Sequence, residues 1–259
     1  MSRSWSSSPT TLDYRESLIE RRMRLISYTV IITGGKGGVG KSLIAATAAL
    51  ILSTSSSKVG LLDLDLHGPS ASIILGVGGA PVESEEGLTP PTVDCLEVMS
   101  LDLLAKGRPL PLRGESKEEV VKEVLALTAF GSLDYLVVDL PPGTGDELLT
   151  VSKYARQSGG AIVVTTPTKL SVAVAAKVVE ILASMSMPIL GLVENMAIGQ
   201  ADSLSETLAR ETGVKFLGRI PFDPAIFSDA GRLSRNELLN TRFAASLRSA
   251  LMNAGFKVE

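Results

Sequence analysis

The chain has 259 residues, of which 45% are apolar, and a chain of this size can bury the core of one large domain. Only 4% are aromatic, which favours helices on both faces of a parallel sheet over a β-sandwich. The net charge of −3 argues against nucleic acid as an obligatory partner. A single cysteine excludes an internal disulfide, and the apolar runs are shorter than the roughly 20 residues of a membrane span. We therefore expect a cytoplasmic protein for which nucleic acid and membrane are not partners.

The first 25 residues are expected to form an extension in front of one domain that spans residues 26–259. The extension begins with a polar, Ser-rich tail. After the tail, Leu18, Ile19 and Met23 recur with the spacing of a short helix.

Apolar runs then alternate with helical patterns, which is typical of strands buried on both faces of a parallel sheet. Seven such runs predict strands, at 28–33, 59–63, 95–99, 135–139, 161–166, 189–194 and 215–220. The predicted fold class is a single α/β domain with a mostly parallel sheet of about seven strands and helices on both faces.

Two other segments have a clear pattern. Residues 76–92 are rich in Gly, Pro and Glu and predict a solvated loop, with a partner-binding loop as the alternative. Near the end of the chain Leu239, Phe243, Leu247 and Leu251 recur every four residues. Few basic residues accompany them, so a helix that packs on the core is favoured over one that lies on a membrane surface.

The segment after the first strand fits the phosphate-binding pattern G-x-x-x-x-G-K-[ST], and a helical run follows it. Its glycines let backbone N–H groups turn towards a phosphate chain. Lys41 would neutralise the β- and γ-phosphates, and the hydroxyl of Ser42 would bind Mg²⁺. The nucleotide-binding loop is predicted to comprise Gly35, Lys36, Gly37, Gly38, Val39, Gly40, Lys41, Ser42 and Leu43.

Aspartates follow two of the predicted strands, where a magnesium nucleotide site needs carboxylates. Asp139 ends one strand and is expected to hold Mg²⁺ through a water molecule. Of Asp63 and Asp65, one is expected to support the metal and the other to orient the attacking water. Helix capping or turn formation is the alternative for these aspartates. Downstream, the amide of Gly143 is predicted to sense the γ-phosphate.

Five segments together resemble the Mrp family of nucleotide-binding iron–sulfur cluster carriers, which belongs to the MinD/ParA group of deviant P-loop ATPases. They are KGGVGKS (36–42), DLDLHGPS (63–70), DYLVVDLPPGTGDE (134–147), ENM (194–196) and GRIPFDP (218–224). The resemblance covers roughly residues 26–255. It implies an ATPase that uses Mg²⁺, binds ATP and ADP, works as a homodimer and has iron–sulfur assembly or acceptor proteins as partners.

The resemblance also implies roles for individual residues. Lys36 would reach across the dimer to the partner's nucleotide, where a second cation stabilises the charge on the transferring phosphoryl group. Asp65 would orient the water. Asn195 would contact the adenine, or else be a turn residue at a strand end, and the loop with Pro221 and Asp223 would close around the base.

The chain departs from the family where cluster carriers usually have Cys-x-x-Cys. After ENM it reads AIGQADS, and no cysteine occurs in the second half. Cys95 is expected to be a small buried residue in a strand, and His67 to have a local hydrogen-bonding role. Leu43 replaces a threonine that helps to hold the α-phosphate. We therefore expect that the protein alone does not hold a cluster, because stable clusters need about four soft ligands.

Three functions follow from these observations. The first is a dimeric ATP-driven switch similar to the iron–sulfur carriers. The second is a MinD- or ParA-like positioning or partition ATPase that acts on membrane, DNA or a protein partner. The third, a small-molecule kinase or ligase, lacks a recognisable acceptor-binding motif.

Overall fold

The computed structural model describes residues 14–53, 56–65, 68–105, 116–199, 203–224, 226 and 232–258. The main sheet contains seven parallel strands and one antiparallel edge strand, and a separate hairpin has two strands. The strands are β1 Ile26–Thr33, β2 Val59–Asp63, β3 Val82–Ser84, β4 Gly87–Thr89, β5 Thr92–Val93, β6 Leu96–Ser100, β7 Leu133–Asp139, β8 Gly159–Thr165, β9 Ile189–Ala197 and β10 Phe216–Pro221. The sheet order is β10-β9-β8-β1-β7-β2-β6-β5.

Helices connect the parallel strands and cover both faces of the sheet, as a parallel sheet requires. They are α1 Tyr14–Met23, α2 Lys41–Ser53, α3 Ala71–Leu75, α4 Leu101–Ala105, α5 Lys117–Leu127, α6 Asp146–Ala155, α7 Lys169–Ser184, α8 Leu204–Thr212, α9 Arg235–Leu239 and α10 Arg242–Ala254. One core layer lies under α2 and α10 and the other under α1, α5, α6 and α7. The α/β class with a mostly parallel sheet is thus confirmed.

Hydroxyl side chains begin several of these helices, and this explains why the helices start where they do. Thr168, Ser203 and Thr241 each accept a hydrogen bond from the backbone N–H three residues further on. Ser234 and Glu237 form a reciprocal capping box at α9. No helix of the described residues is long and apolar enough to cross a membrane.

The helix predicted in the N-terminal extension forms and packs on the domain. Ile19 has no exposed surface and joins the core layer that contains α5 and α6. The guanidinium of Arg22 donates from Nε to the carbonyl of Ala126 at 2.6 Å and from a terminal nitrogen to the carbonyl of Glu86. The helix is therefore tied to both the main domain and the β3–β4 hairpin.

Three details of the predicted elements are corrected. Cys95 is exposed in a turn before β6, because Asp94 has a φ of 53° and reverses the chain there, so its assignment to a buried strand is wrong. Residues 76–92 are not loop throughout, since they contain the β3–β4 hairpin and the first residue of β5. The terminal apolar pattern spans two helices, because Asn240 and Thr241 end α9 and cap α10.

Candidate nucleotide-binding site

The candidate site lies at the carboxyl edge of the central strands. The phosphate-loop pattern leaves β1 after Thr33 and enters α2 at Lys41. In the neighbouring strands Asp63 of β2 pairs in register with Asp139 of β7, and Asp139 pairs with Ile32 of β1. The parallel register thus brings the loop and two aspartates together.

Close packing explains the glycines of the loop. A Cβ on Gly35 would lie 2.2 Å from a methyl of Val174, and one on Gly40 would lie 2.3 Å from Nδ2 of Asn195. Gly38 and Gly40 also have φ of 76° and 87°, a region that favours glycine. The loop backbone therefore approaches its neighbours more closely than side chains would permit.

Exposure varies along this loop. Gly37 and Gly38 are exposed, Val39 is buried, and Ser42 and Leu43 are half-buried. The pattern leaves the glycine backbone open at the surface while Val39 anchors the loop in the core.

The two lysines of the loop have opposite environments. Lys41 is only 6% exposed, and its Nζ donates to the carbonyl of Lys36 at 3.4 Å. Burial lowers the pKa of Lys41, and the negative charges of Asp139 and Asp65 partly oppose this. Lys36 is exposed and has no ion pair in the described part of the chain. Lys41 thus lies buried within the loop, whereas the side chain of Lys36 is exposed to solvent.

Asp139 is a buried carboxylate without hydrogen bonds. It has no exposed surface, and neither oxygen has a hydrogen-bond partner among the residues the structure describes. Its pKa is raised to about 8, by burial first and by the charge of Asp63 second. Ser42 lies close to Asp139 but outside ideal hydrogen-bond geometry. Both Ser42 and Lys41 lower the pKa of Asp139. A bare carboxylate beside a hydroxyl offers the oxygen ligands that Mg²⁺ prefers, so these residues fit that ion.

Asp63 is equally buried, but its oxygens are occupied. Oδ1 accepts from the N–H of Asp65 at 3.0 Å, and Oδ2 accepts from the N–H groups of Ser70 and Ala71, each at 3.0 Å. The hydroxyl of Ser100 also donates to Oδ2, at 3.3 Å. Burial raises the pKa of Asp63, and these hydrogen bonds oppose the shift. The proposed support of a metal by Asp63 stays a prediction.

The two residues predicted to respond to the γ-phosphate follow β2 and β7, whose carboxyl ends lie beside that of β1. Asp65 is half-buried, and its Oδ1 accepts from the N–H of Gly68 at 3.2 Å. Gly143 has a φ of 116°, and its N–H donates to the carbonyl of Gly34 at 3.2 Å. In this conformation the amide of Gly143 is thus paired with the phosphate loop. His67 lies outside the described residues.

A small apolar cavity of about 40 Å³ lies where the resemblance predicts the base. Its lining residues come from α2, α10 and the ends of β9 and β10: Leu43, Asn195, Met196, Pro221, Phe222, Asp223, Ile226 and Phe243. All three residues predicted to contact the base line this cavity: Asn195, the exposed Pro221 and the half-buried Asp223. Asn195 is 3% exposed, and its Nδ2 donates to the carbonyl of Val39 at 2.8 Å. This amide therefore also supports the phosphate loop, a contact that the sequence did not indicate.

A further buried carboxylate, Glu194, was missed by sequence reasoning. The hydroxyls of Ser203 and Ser205 donate to its Oε2 at 2.6 and 2.7 Å, and Nε of Arg219 donates to Oε1 at 2.7 Å. Burial alone would raise the pKa of Glu194, but these three donors together lower it. The cluster ties β9 to α8 and β10, and its members are too far apart in sequence to form a recognisable motif.

No group of three or more His, Cys, Asp or Glu side chains suited to a metal occurs within the described ranges. Residues 200–202, which follow shortly after the ENM segment, lie outside those ranges. Exposed Cys95 is the one cysteine of the sequence.

The fold and the loop geometry define a P-loop nucleotide-binding protein of α/β type. Residues 25–251 match the ParA family model described as the NUBPL iron-transfer P-loop NTPase, and the chain belongs to this family.

Curated relatives agree with this assignment. An iron–sulfur cluster carrier protein of Saccharolobus solfataricus is 34% identical, over 82% of this chain and 78% of its own length. A cytosolic Fe–S cluster assembly factor NUBP2 homolog of Dictyostelium discoideum is 36% identical, over 91% of this chain and 97% of its own.

Solved structures agree as well. A nucleotide-binding protein of Archaeoglobus fulgidus in complex with ADP has a TM-score of 0.72 at 33% identity, covering 88% of this chain and 95% of its own. The cell division ATPase MinD of Pyrococcus furiosus has a TM-score of 0.66 at 23% identity, covering 88% of this chain and 98% of its own, and shows the common fold.

Proposed function

We propose that the protein is a Mg²⁺-dependent ATPase that works as a homodimeric switch in iron–sulfur protein assembly in the cytoplasm. The observation that carries the proposal is that buried Lys41 and the buried carboxyl group of Asp139, which has no hydrogen-bond partner among the described residues, both lie beside the phosphate loop. A buried cation and a buried carboxylate without hydrogen bonds are costly to the fold, and such groups concentrate at functional sites.

Binding of the nucleotide follows from the loop. Its exposed glycine N–H groups and the start of α2 present positive partial charge to the phosphates, and Lys41 adds a full charge. Ser42 and Asp139 would hold Mg²⁺, which neutralises phosphate charge when bound. Asn195, Pro221 and Asp223 would surround the base.

Hydrolysis needs groups that act on the γ-phosphate and on water. Asp65 lies in the loop after β2 and would orient the water, and Gly143 would exchange its bond to Gly34 for one to the γ-phosphate. Exposed Lys36 would act on the nucleotide of the partner copy. A cation that arrives only in the dimer would couple hydrolysis to association, as an arginine finger does.

The iron–sulfur role rests on the relatives, which are named as cluster carriers and assembly factors. A cluster would be cargo, and this chain supplies one cysteine per subunit, against the four thiolates that such clusters usually need. We propose that a partner protein brings most of the ligands. Anaerobic reconstitution with iron and sulfide, followed by desalting, should leave far less than four iron per dimer, and full retention would contradict this.

ATP titration in the presence of Mg²⁺ tests the nucleotide site. Lys41→Ala should weaken binding about ten- to a hundredfold, because a charge-assisted phosphate contact contributes about 1.5–3 kcal/mol. Lys177→Ala, which removes an exposed lysine of α7, is the matched control and should bind as the parent does.

Lys36→Ala should bind ATP normally but hydrolyse it slowly. Parental binding by Lys41→Ala would refute the site, and parental hydrolysis by Lys36→Ala would refute the dimer mechanism.

A further inference from the structure

Asp63 lies beside the proposed Mg²⁺ ligands, but its surroundings indicate a different task. A carboxylate has about four lone-pair positions, and Asp63 accepts four hydrogen bonds from the protein. Three of the four fall on Oδ2 alone. A metal ion at Oδ2 would have to displace donors that are already well placed, and Oδ1 already accepts one, whereas Asp139 presents two oxygens without donors among the described residues.

The donors to Asp63 come from both ends of one loop. The N–H of Asp65 lies at the start of the loop, and those of Ser70 and Ala71 lie at its end, where α3 begins. Ser70 occupies the N-cap position, yet its own side chain makes no capping bond. Asp63 therefore caps α3 from the end of β2, where a negative charge is also favoured by the helix dipole.

Neighbouring groups hold this anchor in place. Ser100 has no exposed surface and donates to Asp63 from the end of β6, the adjacent strand. Ser72 of α3 donates to Asp102 of α4 at 2.7 Å, which forms a second connection between the same two regions. The N–H of Leu64 donates to the carbonyl of Asp139 at 3.0 Å, so the loop is also tied to β7.

We infer that Asp63, supported by Ser100, is a positioning residue that holds the loop carrying Asp65 in the geometry needed for hydrolysis, and that it is not a Mg²⁺ ligand. The inference rests on the proposed function only for its effect on hydrolysis. The anchoring itself is a property of the nucleotide-free protein and can be measured without activity.

Amide hydrogen exchange in the nucleotide-free protein tests the anchor directly. Asp63→Asn replaces an acceptor oxygen by an NH₂ group, which cannot accept from the donors that face it. We expect exchange at Asp65, Ser70 and Ala71 to accelerate at least tenfold, and amides of α7 to be unchanged. Unchanged exchange at all three would overturn the anchor, and this result is independent of whether the protein hydrolyses ATP.

The Mg²⁺ dependence of hydrolysis separates positioning from metal binding. For Asp63→Asn we expect kcat to fall at least tenfold, with the half-saturating Mg²⁺ concentration within about twofold of the parental value. A tenfold higher Mg²⁺ requirement, with activity recovered at high Mg²⁺, would overturn the inference and make Asp63 a ligand.

Ser100→Ala provides a milder test in case Asp63→Asn fails to fold. It removes one of the four donors and should lower kcat about two- to fivefold at unchanged Mg²⁺ requirement. Ser152→Ala is its matched control, because Ser152 is equally buried in α6 and its hydroxyl has no hydrogen-bond partner in the described chain. Equal kcat values for Ser100→Ala and Ser152→Ala would contradict the supporting role of Ser100.

Discussion

Asp139 and Glu194 are both wholly buried carboxylates near the carboxyl ends of parallel strands, but their surroundings differ. Glu194 accepts hydrogen bonds from two serines and an arginine, and its pKa is lowered. Asp139 has no hydrogen-bond partner among the described residues, and its pKa is raised to about 8. A buried carboxyl group with good partners is part of the architecture, whereas one without partners indicates a site that awaits a ligand.

The largest effect on stability is expected at the satisfied carboxylate. Glu194→Ala leaves Arg219 and the hydroxyls of Ser203 and Ser205 without their acceptor. Breaking a buried ion pair on one side usually costs about 3–5 kcal/mol, and the lower end applies here because Arg219 is 27% exposed. Urea unfolding should show a loss of about 3 kcal/mol, against little change for the exposed control Glu180→Ala. A loss below about 1 kcal/mol would show that the cluster is not structural.

The unsatisfied carboxylate should respond in the opposite direction. Asp139→Asn removes an ionisable group that the fold holds protonated, so the nucleotide-free protein should become more stable by about 2 kcal/mol at neutral pH. A lower free energy of unfolding for Asp139→Asn than for the parent, measured by urea unfolding, would contradict the view that Asp139 is unsatisfied in the nucleotide-free protein.

The pH dependence of Asp139→Asn follows from the raised pKa. The unfolded chain loses the Asp139 proton near its ordinary pKa of 3.8, and the folded protein keeps it until about pH 8. The contribution of Asp139 to stability is therefore fully present below the ordinary pKa and is lost as pH rises between these values. The stability difference between Asp139→Asn and the parent should grow over this range. A difference that is constant with pH would contradict the raised pKa.

The smallest effect is expected on the acid side, at Glu194. Its pKa lies below the ordinary 4.5, so its stabilisation is present above that value and is lost as pH falls through the folded pKa. Below about pH 4.5 the parent should lose stability that Glu194→Gln does not lose. Parallel acid-unfolding curves for the parent and Glu194→Gln would contradict a lowered pKa of Glu194 in the folded protein.

The sequence predicted the strands well because each is an apolar run with the length of a buried strand. It also predicted the phosphate loop, since glycines and Lys41 have a fixed spacing there. Cys95 was misplaced because the positive φ of Asp94, which begins the turn between β5 and β6, has no clear signature in the residue type. The seven parallel strands and the loop were thus set by local pattern.

The contacts that decide the chemistry of the site could not be predicted, because they join distant parts of the chain. Arg219 reaches Glu194 across 25 residues, and Asn195 reaches Val39 across 156. Likewise, nothing in the sequence distinguishes Asp63, which has four donors, from Asp139, which has none within the described part of the chain. Only the fold shows which aspartate accepts hydrogen bonds from the protein and which is open to a ligand.

Calorimetric titration of ATP with and without Mg²⁺ tests the central claim most directly, in the parent, in Asp139→Asn and in Glu194→Gln. The account predicts that Mg²⁺ strengthens ATP binding at least tenfold in the parent and in Glu194→Gln, and by less than about twofold in Asp139→Asn. Equal strengthening by Mg²⁺ in all three proteins would contradict the assignment of the open carboxylate to the metal site.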